Sequence, residues 1–559
     1  MNRSCVAALA LLSFLLLDVP LAPAQARRPA YHPTAIQQPA FRTAVQGVTA
    51  SQLKDYLAFV ASDEMEGRET PSRGLDATAR FIATLLSRWG VKPGGADGGY
   101  FQPIDLAKQT LATDALEVSV GKRTLAYGRD YLAMATAGEV SAGLVFAGDG
   151  WFVKSKGLDA YAGIDPKGKI VVLTQGGFPA GIKNMGALGK RGEDWMDPMS
   201  YAQRKGAVAI VMLPSLLAQT NADRVAQMRR RFEDGQAWPE KLPREGGGGP
   251  MGASTLPTVF LMASGAQALF AGEKVDAATI LQSFPAGTAV KPFELSAQKQ
   301  VRIVVRTAVE HTASQNVVGI VEGSDPALKA EYVAFGAHYD HEGTRPGESD
   351  AVLNGADDDG SGTVALLAMA EALQKAPRKP RRSAIFVWHM GEEKGLWGSA
   401  YFTAFPTVPI DRIVAQLNID MIGRSRPAGD TDPRNKDLSG PNEVYVIGSR
   451  LMSSELGAIS DAVNASYGKL SYNFRYDDPK DPERFFYRSD HIHYARKGIP
   501  IIFYFTGVHA DYHGPDDEVS KIDFAKYEKI TRTIFATFWE IAERAARPAV
   551  DKPLAADAQ

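Results

Sequence analysis

From residue 332 onward, short runs of uninterrupted apolar residues alternate with longer segments that are apolar at helical spacing. The strand-like runs fall at 332–337, 383–388, 414–421, 444–447 and 499–505, and the helical patterns at 360–375, 396–405, 451–466 and 523–547. A strand that is apolar at every position, not at alternate ones, is buried on both faces, so helices must lie above and below its sheet. The pattern predicts an α/β fold with a mixed central sheet covered by helices on both faces. Its functional site is expected at the strand ends. Two further runs, 301–309 and 316–322, are read as paired strands.

At 559 residues the chain exceeds the ~100–200 residues of one ordinary domain, and its texture changes along its length. Helical patterns at 51–60 and 75–89, the latter stopping before Gly90, flank a polar loop at 63–68. Between 137 and 292, short strand-like runs at 143–146, 169–173, 207–212 and 258–262 alternate with Gly- and Pro-rich loops. The expected division is a catalytic-type domain at 44–136 and 293–547, interrupted by a smaller β-rich α+β insertion at 137–292. Arg229-Arg230-Arg231 reads as a solvated helix face, and the glycine run 246–249 as a connection. No repeat stands out at a period of twenty to fifty residues.

The first residues read as an export signal. Arg3 precedes an apolar run at 6–17, and small residues at Ala22, Ala24 and Ala26 place cleavage after 24 or 26. The run is shorter than the ~20 residues a span needs and Asp18 ends it, so a stable membrane anchor is not expected. The expectation is a secreted or periplasmic protein. Cys5, the one cysteine of the chain, falls in that leader. Disulfides, thiolate zinc ligands and a cysteine nucleophile are thereby excluded from the mature chain. A formal net charge of −2 leaves no basic field to hold nucleic acid.

Histidines and carboxylates gather at the predicted strand ends in five places. His338-Tyr339-Asp340-His341 follows the run at 332–337, and Asp357-Asp358-Asp359 opens the helix at 360–375. Glu392-Glu393 follows the strand at 383–388, and Asp420 interrupts an apolar strand. The fifth place is a loop with Asp511, Tyr512 and His513. Singly, each has an ordinary structural reading: a hydrogen-bonded core histidine, a helix cap, a solvated turn. Together, at successive ends of one sheet, they point to a cation. Imidazole with carboxylate and no thiolate suits zinc first, then cobalt, manganese or iron. A buried carboxylate such as Asp420 costs several kcal/mol without a partner. Adjacent glutamates on a turn diverge, so one can hold metal while the other serves as a base. His-Glu-x-x-His and Gly-x-Ser-x-Gly motifs are both absent.

The five motifs together resemble the co-catalytic zinc peptidases of family M28, which include secreted aminopeptidases and glutamate carboxypeptidase. The resemblance covers 51–89 and 316–523, and the insertion is similar to a protease-associated domain by texture and position. It implies that His338, Asp357 and Asp420 hold one zinc and that Asp357, Glu393 and His513 hold the other. Asp357 would bridge the two, with a cis peptide at Asp357–Asp358, and Asp340 would orient His338. Glu392 would be the general base acting on a water between the metals, and Tyr512 would stabilise the oxyanion. Arg488 would line the substrate pocket. Two divalent cations, three ligand carboxylates and one hydroxide sum to a neutral centre, which a low-dielectric site favours. The implied function is hydrolysis of peptide substrates, foremost as an aminopeptidase. A glutamate carboxypeptidase, a one-zinc glutaminyl cyclase and a non-catalytic receptor are the alternatives on the same fold. His491, His493 and His509 have no role in this scheme, and His32, His311 and His389 are expected at the surface or in the core.

Overall fold

The computed structural model describes residues 31–174, 178–179, 182, 188–215, 222–243, 254–283, 290–345, 347, 349–478, 481–552 and 554. The leader with Cys5 and the glycine run 246–249 lie outside them. The main sheet has ten strands, of which eight form its body: β1 (Phe101–Leu111), β2 (Thr307–Val321), β3 (Tyr332–His338), β4 (Ser383–His389), β5 (Ile413–Ile419), β6 (Glu443–Ile447), β7 (Ser471–Asn473) and β8 (Ile501–Phe505). Their spatial order is β1-β2-β4-β3-β5-β8-β6-β7. The central four, β4, β3, β5 and β8, run parallel, while β2 and β6 flank them antiparallel.

The continuous apolar runs are explained by burial on both faces. In β3, Val333, Phe335 and Ala337 join one hydrophobic core while Ala334 joins the other. β4 divides likewise, with Phe386 and Trp388 on one side and Ile385 and Val387 on the other. Over the first face lie α1 (Ala50–Val60), α2 (Arg73–Trp89), α3 (Gly362–Lys375) and α4 (Phe524–Glu543). Thr49 caps α1 through the Gln52 amide, and Ser72 caps α2 through the Leu75 amide. Gly90 ends α2 in the left-handed region at φ 74°, where a residue without Cβ carries no steric cost. α3 is buried from Gly362 to Leu373, which accounts for its apolar character all round.

One expected pairing is not observed. Val301–Val305 joins a separate four-stranded sheet, whereas β2 is a single strand of fifteen residues paired with β1. The first half of β2 is exposed, so polar residues such as His311 and Gln315 interrupt its apolar pattern without ending the strand. Between β1 and β2 the chain also builds a six-stranded sheet whose middle strands, Leu144–Phe146, Ile170–Thr174, Ala209–Leu213 and Thr258–Leu261, are parallel. Helices Pro198–Arg204 and Ala222–Asp234 make crossovers there, and Arg229 pairs with Glu233 on the exposed face of the second. Of the three smaller sheets, the six- and four-stranded ones draw strands from Glu117–Val120 through to Val301–Val305, past 137 and 292 at both ends. Gln236–Pro239 returns to pair with β1 at the edge of the main sheet. Among the described residues no helix is long and apolar enough to cross a membrane.

Candidate metal centre

Four of the motifs leave the carboxyl ends of β3, β4, β5 and β8, which are neighbours in the sheet, and the fifth opens α3 beside them. His338 is the last residue of β3, and Asp420 is the first beyond β5, so it terminates that strand and does not interrupt it. The result is a concentrated set of buried donors. His338 is 1 % exposed at the side chain, Asp358 4 %, Glu393 5 %, and Glu392 and Asp420 11 % each, with His513 at the mouth at 29 %.

The three consecutive aspartates point in three directions. Asp357 turns away from the histidines of the centre: one oxygen accepts the Gly423 amide at 2.6 Å and the other lies 3.4 Å from His509 Nε2. Asp359 is consumed by the backbone, accepting the amides of His338, Gly362 and Met421. Asp358 alone divides its oxygens between two imidazoles, Oδ1 at 3.3 Å from His338 Nε2 and Oδ2 at 3.1 Å from His513 Nε2. The central carboxylate is therefore Asp358 and not Asp357, and the cis peptide is Asp358–Asp359 and not Asp357–Asp358. Asp517 holds this arrangement from the late loop by accepting the amides of both Asp357 and Asp358.

The remaining donors complete two groups. His338 Nε2 lies 3.7 Å from Asp420 Oδ1, and His513 Nε2 lies 3.1 Å from Glu393 Oε2. Ligands about 2.0–2.1 Å from a tetrahedral zinc are roughly 3.3 Å apart, so these spacings suit one cation in each group. Buried atoms without a hydrogen-bond partner also concentrate here: Asp358 Oδ2, Glu393 Oε1, His513 Nε2 and both ring nitrogens of His341. Each such atom costs ~1–3 kcal/mol unless something satisfies it, and a divalent cation would do so. The residues present therefore fit a pair of cations.

Asp340 meets His338 Nδ1 mainly through its main chain. His338 Nδ1 lies 3.2 Å from the Asp340 main-chain oxygen and 3.6 Å from its carboxylate, which instead accepts the Glu392 amide at 3.1 Å. Glu392 stands apart from the second group, with Oε2 3.9 Å from His338 Nε2. Burial raises its carboxyl well above the usual range; His338 opposes this, while Glu393, Asp420 and Asp490 add to it. For Asp358, burial pulls the same way, but the rings of His338, His513 and His341 overcome it and hold the carboxylate ionised.

A pocket bounded by Asp358, Glu392 and Asp420 opens beside the cluster, with Met421, Phe485, Phe503, Phe505 and Val508 as its apolar wall. Tyr512 and Arg488 also border it. Burial and the carboxylates of Asp358, Glu393 and Glu392 raise the Tyr512 phenol well above its usual value, so it stays protonated. Arg488 lies over the Phe485 ring at 4.6 Å. Phe485 comes from the long loop after β7, and the loop after Asp420 is tied to the His513 loop through Arg424 and Asp511 at 2.7 Å.

Three residues of the site carry no role in the sequence reading. His341 Nδ1 lies 3.0 Å from Glu393 Oε1; its signal was the second histidine of His338-Tyr339-Asp340-His341. Arg68, in the segment expected to be a polar loop, is fully buried and donates to the carbonyls of Tyr339, Val60, Asn354 and Gly355. His389 is a buried core residue that pairs with Asp490 at 3.2 Å, and the Asp490 charge reaches Glu392. His509 packs against Asp357, and His491 bonds the Phe486 carbonyl, its ring pushed down to about 3 by burial.

Residues 316–538 match the sequence model of peptidase family M28. A probable zinc metalloprotease of Leptosphaeria maculans is 26 % identical over 286 residues, covering 44 % of this chain and 63 % of the relative. A probable leucine aminopeptidase of Arthroderma benhamiae is 29 % identical over 256 residues, covering 41 % and 64 %. The chain thus spans a little under two thirds of the length of these relatives. The aminopeptidase from Aneurinibacillus sp. strain AM-1 superposes with a TM-score of 0.53 at 17 % identity, covering 91 % of this chain and 98 % of that one, and so shares its fold.

Proposed function

We propose that the chain is a two-zinc metallo-exopeptidase acting as an aminopeptidase on peptide substrates. The observation that carries this reading is the split of the Asp358 oxygens between His338 and His513, with Glu392 free beside them. His338, Asp358 and Asp420 would hold one cation, and Asp358, Glu393 and His513 the other. When bound, such cations supply Lewis acidity, which acidifies water and polarises a carbonyl. Glu392 would accept the proton of the attacking water and deliver it to the leaving amine; burial raises its carboxyl above the usual range, toward a group that can both take and give a proton. The protonated Tyr512 donates to the developing oxyanion.

The pocket argues for the amino end of the substrate. With Asp358 and Asp420 facing the cations, Glu392 and one arginine, Arg488, set its remaining charge, and a single arginine is not the cluster that an acidic C-terminus would need. Its apolar wall of Met421, Phe485, Phe503, Phe505 and Val508 suits an apolar N-terminal side chain. Export through the leader, and the insertion as a protease-associated domain, belong to the same reading. The decisive assay is a panel of aminoacyl and acyl-blocked chromogenic substrates, with and without a chelator. Cleavage of free-amino substrates alone, abolished by chelation, is expected. Cleavage of blocked substrates or persistence in chelator would overturn it.

A further inference from the structure

Among the described residues, His341 is a buried imidazole set against two carboxylates of the cluster without hydrogen-bond geometry to either. His341 is fully buried, and its Nδ1 lies 3.0 Å from Glu393 Oε1 and 3.7 Å from Asp358 Oδ2. Neither ring nitrogen makes a hydrogen bond. Its ring meets that of His513 edge-on at 5.6 Å. His341, Asp358 and Glu393 can all direct a donor atom at one point.

The space for this ring is built into the fold. Gly355 stands at φ 55°, and a Cβ there would come within 2.5 Å of His341 Cγ and 2.4 Å of the Asp358 carbonyl. The main chain is held on both sides, since the His341 amide bonds the Arg68 carbonyl and Arg68 in turn bonds Tyr339 and Gly355. A buried imidazole without a hydrogen bond is costly unless it binds something. Its nearest neighbours are two carboxylates of the second cation group.

We propose that His341 is a direct ligand of the second cation position, giving that position two imidazoles with the carboxylates of Asp358 and Glu393. This rests on the two-cation reading above. The two positions are then chemically unequal: His338, Asp358 and Asp420 supply one nitrogen, whereas the second group supplies two. More imidazole favours zinc-like borderline metals over magnesium or calcium. The second position is therefore the one that retains zinc when metal is scarce.

The test is a titration of the metal-free full chain with Zn2+ against a chromophoric chelator, and with Co2+ followed by its visible ligand-field absorption. Wild type, His341→Ala and the bulkier polar His341→Gln are compared, with thermal melting of each metal-free protein to confirm folding. Wild type is expected to take up two ions. In both variants one binding step should weaken at least tenfold and the other stay within about twofold, because a lost ligand acts at one position. The cobalt band of the weakened step should also change in energy and intensity. That spectral readout matters, since losing an outer hydrogen bond to Glu393 alone would also weaken binding roughly 10–100-fold. Weakened binding with an unchanged cobalt band, or unchanged binding at both steps, would overturn the proposal. A wild type that binds no metal would overturn the two-cation reading and this inference with it.

Discussion

Asp358 and Asp357 are adjacent, equally charged and equally buried, yet one faces two imidazoles and the other a backbone amide. Asp358→Asn should lower zinc stoichiometry, measured per chain after dialysis, from two to one or none. Asp357→Asn should keep both ions while lowering the melting temperature. Equal stoichiometry in the two variants would refute the assignment. Glu392→Gln keeps the shape of the base but removes its proton acceptor. It should bind metal as wild type does while kcat falls by ~10²–10⁴, the range general-base removal spans; wild-type-like turnover would sink the role. Arg68 is held by four carbonyls from three separate segments, and a lysine cannot reproduce that planar fork. Arg68→Lys should therefore destabilise by ~2–4 kcal/mol in urea unfolding, because buried carbonyls lose their donor. The residue types at the site were legible in the chain: His338, Glu392, Glu393, Asp420 and His513 gather at the carboxyl ends of neighbouring strands. Which of three successive aspartates faces the cluster was not, since that depends on where Gly423, Asp517 and three other backbone amides lie.

At the scale of elements, the parallel strands and their covering helices follow the apolar pattern to within a few residues. The uninterrupted runs are legible because both faces of these strands are buried. β2 departs from that pattern for the opposite reason: its exposed half obeys no apolar rule and is held by main-chain pairing to β1 over eleven positions. α3 is the element on which the site most depends, since it carries Asp357 to Asp359 at its start and packs into the first core. Truncation inside it, Leu366→Ala, should cost ~2–5 kcal/mol by leaving a cavity. Zinc affinity should survive wherever the variant remains folded. A loss below 1 kcal/mol would mean that α3 is not the packed centre its burial indicates.

For the whole molecule, the cluster couples metal to stability. Several buried donors lack partners, so a cation that binds the folded chain alone must raise its melting temperature. At a free zinc concentration a hundredfold above the dissociation constant the gain is about 2.7 kcal/mol per site. Calorimetry of the chain with and without a chelator should show that shift; identical melting curves would contradict a metal centre. The acidic residues of the site contribute nothing visible to the near-neutral total charge, because they are few and gathered at one set of strand ends.

The order of apolar runs determined a two-faced α/β sheet, and the chain's residue types determined a His/carboxylate centre without thiolates. Both are local properties, since burial imposes periodicity and each metal class selects its donor chemistry. Tertiary structure alone decided that Asp358 takes the central position, that Arg68 is buried and that His341 sits against Glu393. These outcomes depend on contacts between segments hundreds of positions apart, and no local pattern records which of several similar side chains such contacts will turn inward.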